Sequence, residues 1–207
     1  MTVSLYADAQ LTTLVASQSR QVATTYSWGA LQFGDPSWFT GVIDQERARF
    51  VPQPAMVLFP SPQFARYVLV QIDDTGNQDG YIELSRLFVT PGYQPSINIK
   101  YGSSAGVNDP TVSTRSPGGA DFYDIRPKHR IITCQIDYLP KGEAFATHFM
   151  AQLRLGLSGQ FFFSKFPSDQ TLFALTSFIA TLTKLDPITS ACFGYQNAAY
   201  AIEEVVA

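Results

Sequence analysis

The sequence predicts a mainly β fold: a jelly-roll-like, galactose-binding-like β-sandwich with one amphipathic helix and a C-terminal β extension. Three observations lead there. Apolar and polar residues alternate at period two in several short runs, most clearly Tyr67–Ile72 and Arg130–Tyr138, as half-buried strands require. Only Gly142–Leu157 carries helical spacing. Glycine and proline break residues 21–60 at short intervals, with aromatics between the breaks, which suits strands and loops rather than helices. A single β-rich domain over 1–207 is expected, with a possible subdivision into a 1–140 sandwich core and a 141–207 segment of helix plus late strands.

Taken in order, residues 1–20 have no strong period and read as an opening strand or an arm. Residues 21–60 hold Trp28, Trp38, Phe33, Phe39 and Phe50 between Gly29, Gly34, Pro36, Gly41, Pro52 and Pro54. From Arg66 to Gly92 the pattern is a hairpin. Tyr67–Ile72 places Val68, Val70 and Ile72 on one face, Asp73–Gly80 is turn chemistry, and Tyr81–Val89 returns with Ile82, Leu84 and Phe88 aligned. Residues 91–122 read as a long loop in which only Ser96–Tyr101 alternates, with Ile97 and Ile99 on one side. In Arg130–Tyr138, Ile132, Cys134, Ile136 and Tyr138 alternate with Ile131, Thr133, Gln135 and Asp137. The period then changes. Phe145, Phe149, Met150, Leu153 and Leu157 recur at three and four, predicting an amphipathic helix stopped near Gly156 or Gly159. A strand is expected at Gln160–Ser164 and a short helix opening at Ser168-Asp169-Gln170. Late strands are expected at Phe178–Leu185 and Cys192–Val206.

The bulk numbers bound the function. At 207 residues, about 70% of the unfolded chain's surface is buried on folding, enough for a self-sufficient core. Charged residues are 15% of the chain, against about 25% for a typical globular domain. Two explanations fit equally: an exterior covered by partners, or a large β core beneath an uncharged polar surface. The net charge of −3 argues against nucleic-acid binding. The densest basic run, Arg126-Pro127-Lys128-His129-Arg130, reads as a solvated turn before a strand at Ile131. Cys134 and Cys192 lack zinc-ligand spacing and read as small buried hydrophobes. No apolar run reaches the ~20 residues of a membrane span. The N-terminus lacks signal-peptide character, so a start in the cytoplasm is expected.

Few residues carry candidate chemistry. Gly102-Ser103-Ser104-Ala105-Gly106 matches G-x-S-x-G, with Asp109, Asp121, Asp124, His129 and His148 downstream. That nucleophile elbow needs a helix after it, and Val107-Asn108-Asp109-Pro110 cannot start one. Asp73–Gly80 is acidic enough to suggest calcium, but alignment to the EF-hand template puts Arg86 at the closing Glu position. Turns with Asx side chains account for the same residues. Trp28, Trp38, Tyr93 and Tyr101 could stack on sugars, or serve as core or subunit-contact aromatics. His129 and His148 read as structural. No catalytic set, cofactor or metal is expected.

One segment resembles a known pattern. RYVLVQIDDTGNQDGYIELSRLFV is similar to a hairpin of bacteriophage tail and baseplate proteins, through Arg66, Tyr67, Asp73, Asp74, Asn77, Asp79, Gly80, Tyr81, Ile82, Glu83, Arg86, Leu87 and Phe88. Gln78 and Ser85 stand where Pro and Gly are commoner. Downstream, the helix, Gly159–Phe163, the Phe166–Asp169 turn, Leu185–Ile188 and a last strand ending Ile202–Val205 follow the order of distal tail proteins of long-tailed phages. The resemblance spans roughly residues 66–207, and only the hairpin motif is specific. It implies a virion structural protein without enzymatic activity, assembled in the bacterial host cytoplasm. The implied partners are copies of itself in a ring, six-fold by resemblance, plus the tail tube and the tail hub or tip proteins. No nucleic-acid binding and no membrane insertion are implied. The alternative is a carbohydrate-binding jelly-roll module that recognises the host cell envelope.

Overall fold

The computed structural model describes residues 1–20, 54–73, 82, 84 and 86–206. The fold is mainly β and antiparallel. Two compact units divide the chain: unit 1 is Met1–Tyr93 with Ser168–Leu175, and unit 2 is Gln94–Pro167 with Thr176–Ala207. The subdivision expected at residue 140 falls inside unit 2. There the strand ending at Pro140 pairs with the last strand of the chain.

In unit 1, β1 (Thr2–Tyr6), β2 (Leu14–Ser19) and β3 (Tyr67–Gln71) form a sheet of order β2-β1-β3. The N-terminal segment is thus a hairpin rather than a single strand or arm. Its loop is organised by Asp8, whose carboxylate accepts bonds from Thr12 N–H, Thr12 Oγ1–H and Thr13 N–H at 2.7–3.1 Å. These bonds, led by the Thr12 hydroxyl, pull the Asp8 pKa down to about 2. β3 pairs with β1, Tyr67 opposite Tyr6 and Gln71 opposite Thr2. The strand expected at Tyr81–Val89 is not seen among the described residues: Ile82, Leu84 and residues 86–89 carry no strand. Most of the expected turn, residues 74–80, lies outside the described residues, as do Trp28 and Trp38. The α3 helix (Gln170–Thr176) begins where Ser168-Asp169-Gln170 predicted. Asp169 Oδ1 accepts the Leu172 N–H at 3.1 Å, satisfying a first-turn donor.

Unit 2 is built on a six-stranded sheet. β4 (Ser104–Asn108), β7 (His129–Pro140), β11 (Tyr195–Glu204), β9 (Ser177–Lys184) and β8 (Phe161–Ser164) run in the order β4-β7-β11-β9-β8, and β10 (Thr189–Cys192) pairs with the start of β11. Along β7, Ile132, Cys134 and Ile136 point into the core with Ala198 and Ile202 of β11 and Phe178, Ala180 and Leu182 of β9. The expected alternation holds to Ile136 and then breaks. Tyr138 takes a positive φ of 61°, the register against β11 shifts there, and Leu139 enters the core instead, fully buried.

The region expected to be loose is partly ordered. Ser96–Tyr101 carries no strand, although Lys100 N–H bonds Gln135 O at 2.8 Å and Ile97 and Ile99 pack on the core. The chain kinks at Tyr101-Gly102, with Gly102 at φ 95°, and the edge strand forms afterwards as β4. A second hairpin follows, β5 (Val112–Arg115) with β6 (Asp121–Asp124), exposed on both strands. The strand expected at Cys192–Val206 is β11, which starts at Tyr195 after the turn at Phe193-Gly194, Gly194 at φ 81°, and β10 forms before that turn.

The helix spans α1 (Lys141–Glu143), a π-helical segment π1 (Ala144–Phe149) and α2 (Met150–Leu155). It ends at Gly156, whose N–H bonds Gln152 O, matching the predicted stop. Its packed face differs from expectation. Ala144 and His148 are the buried residues, while Phe145, Phe149, Met150, Leu153 and Leu157 are exposed. Among the described residues no helix is long and apolar enough to cross a membrane.

Candidate functional site

A groove of about 290 Å³ lies in unit 2, lined by β7, β9, β11 and the kink before β4. Its floor follows from strand periodicity. Over Ile132–Ile136 of β7 and Ala198–Ile202 of β11 the residues facing the core are even-numbered, so Thr133, Gln135, Ala199 and Ala201 share the opposite face. Two cross-strand rows carry them. Lys184, Ala201, Thr133 and Ser104 are successive partners on β9, β11, β7 and β4. Ala199 opposes Gln135, whose carbonyl accepts the Lys100 N–H. Alanines on β11 sit between longer side chains on the neighbouring strands, and the missing side-chain volume contributes to the depression.

Two lysines line the groove. Lys100 Nζ is 2.7 Å from Asp137 Oδ2, and Lys184 Nζ is 2.9 Å from Asp186 Oδ1. Asp137 also accepts from Gln135 Nε2 at 2.6 Å. The Lys100 bond holds the Asp137 carboxyl below its ordinary range, and the same bond raises the Lys100 ammonium. Both therefore stay charged through neutral pH. Tyr101 lines the groove at its kink, fully exposed.

The structure places the other candidates as follows. Tyr93 belongs to unit 1 and Tyr101 to unit 2. Ser104 of the G-x-S-x-G run begins a strand, not an elbow, and its Oγ lies 2.5 Å from Thr133 Oγ1. His148 is buried against the Tyr200 hydroxyl, their rings 5.5 Å apart. Burial lowers its pKa, with Glu143 opposing, so the ring is neutral at pH 7. Among the described residues no cluster of His, Cys, Asp and Glu could hold a metal. Cys134 is buried as expected, but Cys192 is exposed, because β10 lies off the main path of the sheet.

The basic run opens as an exposed segment before the strand, as expected, and its charges are paired. Arg126 pairs with Asp124, Lys128 with Asp109, and Arg130 with Glu204, while His129 lies 3.9 Å from Glu203. Burial pushes the Glu204 carboxyl up, but the bonds from Arg130 outweigh it and leave the pKa below its ordinary value. Residues 126–128 are exposed, and the strand starts at His129, two residues before Ile131.

Tyr101 lines this groove, which the sequence pattern alone does not reveal. The signal was present in Ala199-x-Ala201 at the strand spacing of Thr133-x-Gln135, but which strands are neighbours is not local information. No family model, curated protein or solved structure matches the chain.

Proposed function

We propose that this chain is a structural component of a phage tail tip or baseplate. Its copies form a ring, six-fold by the resemblance, that joins the tail tube to the tip or receptor-binding apparatus. The role is architectural and without turnover, the location is the virion, and the β-rich fold is of the jelly-roll sandwich kind.

One observation carries the proposal: the helix at 141–155 turns its apolar stripe outward. Phe145 and Phe149 lie 5.8 Å apart as a tilted ring pair, and Leu153 continues the row at 65% exposure. An apolar row on an amphipathic helix normally faces the core. Outward exposure of such a row marks a surface that another chain covers. The doubly exposed β5–β6 hairpin adds support, since a lone two-stranded hairpin is marginal in water. A ring needs a heterologous interface whose rotation closes, and contacts of that permanent kind are large and apolar.

Negative-stain imaging of the purified chain, alone and co-expressed with its genomic neighbours, tests this. Rings, together with flanking tape-measure and tail-hub genes, are expected. Catalytic turnover lost on changing one side chain, with no assembly under either condition, would overturn it.

A further inference from the structure

We propose that the groove between Lys100 and Lys184 is a binding site for a neutral saccharide, one or two rings long. This goes beyond the architectural role and does not depend on it.

Width comes first. Lys184 sits on β9, and Lys100 sits beyond β7 on the edge segment, with β11 and β7 between them. Three interstrand spacings separate the two positions, about 14 Å at about 4.8 Å each. The cavity volume of about 290 Å³ stands at the lower end of small-molecule sites, roughly 300–1,000 Å³. A sugar ring can lie across Ala199 and Ala201, where side chains are shortest.

Chemistry selects the class. Each lysine ammonium has three N–H donors and one carboxylate partner within ion-pair distance. Donors therefore remain, and each sits beside a carboxylate that accepts. A pair of neighbouring hydroxyls, each both donor and acceptor, matches such an ammonium–carboxylate pair. Because each lysine is neutralised by its own aspartate, the groove carries no surplus positive charge to favour an anion. Gln135 and Thr133 add uncharged polar groups to the floor. Tyr101 supplies the apolar contact. Its side chain is fully exposed where Gly102 turns the chain at φ 95°, so its ring face is open to the C–H face of a sugar. Exposing a tyrosine completely at a kink does nothing for the core.

Saturation-transfer NMR on the full chain tests the assignment, using glucose, galactose, N-acetylglucosamine and rhamnose, with galacturonate as the anionic comparison. At least one neutral sugar is expected to bind. Its affinity should fall tenfold or more in Tyr101→Ala, whose side chain touches no core residue, and in Ala201→Phe, which fills the floor. Lys184→Met should weaken binding while leaving the melting temperature within 2 °C. If Ala201→Phe fails to fold, Tyr101→Ala and Lys184→Met still decide. No transfer to any neutral sugar at 10 mM, or binding unchanged in Tyr101→Ala and Lys184→Met, would overturn the proposal. Binding confined to galacturonate and abolished by 0.5 M salt would overturn the neutral class.

Discussion

Glu204→Gln is expected to destabilise unit 2. Arg130 directs three donors at this carboxylate: its backbone N–H at 3.0 Å, Nε at 2.8 Å and Nη2. Both side chains are largely buried, at 16% and 15% exposure. The Arg130 guanidinium also lies 4.7 Å over the Phe178 ring, which belongs to the core. Glutamine keeps one acceptor and turns an amide donor toward the guanidinium. With its oxygen at the Oε2 site, glutamine keeps the backbone and Nε bonds without their charge assistance and loses the Nη2 bond, at about 1.5–3 kcal/mol. The loss is partly offset because no carboxylate has to be desolvated. A net loss of about 2 kcal/mol follows, which lowers the melting temperature by about 4–8 °C in a chain of this size. The pH dependence has a definite sign. The folded pKa of Glu204 lies below its ordinary value near 4.5. The pair's contribution is therefore present above that value and lost as pH falls through the lower folded one. Calorimetry of both proteins from pH 7 to pH 3 should show a gap that narrows in acid. A Glu204→Gln melting temperature within 2 °C of the parent at pH 7, or a gap that does not change with pH, would refute this reasoning.

Three further outcomes are expected. Leu139→Ala removes a fully buried side chain and should cost about 2–5 kcal/mol by urea denaturation. Gly159→Ala would place a Cβ 2.5 Å from the Leu155 backbone. It should cost about 1–3 kcal/mol through strain at the end of the helix, read from the same denaturation midpoint. Native protein should titrate one thiol with Ellman's reagent at pH 8 and a second only after unfolding. Cys192 is exposed, whereas burial pushes the Cys134 thiol up to about 11.

Much of the fold was legible wherever local periodicity and burial agree. β7, β8, β9, the helix and its stop, and the Asp169 cap all follow from patterns a few residues long. The misses share a cause, which is that pattern gives a period but not a neighbour. The helix was found, yet its packed face was not, because Ala144 and His148 make a poor apolar signal beside two phenylalanines. Tyr138 looked like a core residue until the bulge handed its place to Leu139. Ser96–Tyr101 alternates convincingly, but the kink at Tyr101-Gly102 moves the regular pairing to β4, a run of small residues with no strand signature. Val112–Arg115 and Asp121–Asp124 are short polar strands inside a Gly/Ser/Pro-rich stretch. Of the four aromatic candidates, Tyr93 and Tyr101 lie among the described residues, and Tyr101 lines a groove that only the order of the strands creates.

Sedimentation velocity over a hundredfold concentration range, on the parent chain and on Phe149→Glu/Leu153→Glu, asks whether the outward face of the helix exists to be covered. Both substituted positions are exposed, so the variant should melt within about 2 °C of the parent. The parent is expected to self-associate into a discrete closed species, and the variant to stay monomeric. If both sediment as monomers throughout, or if the variant assembles as the parent does, that face is not an assembly surface.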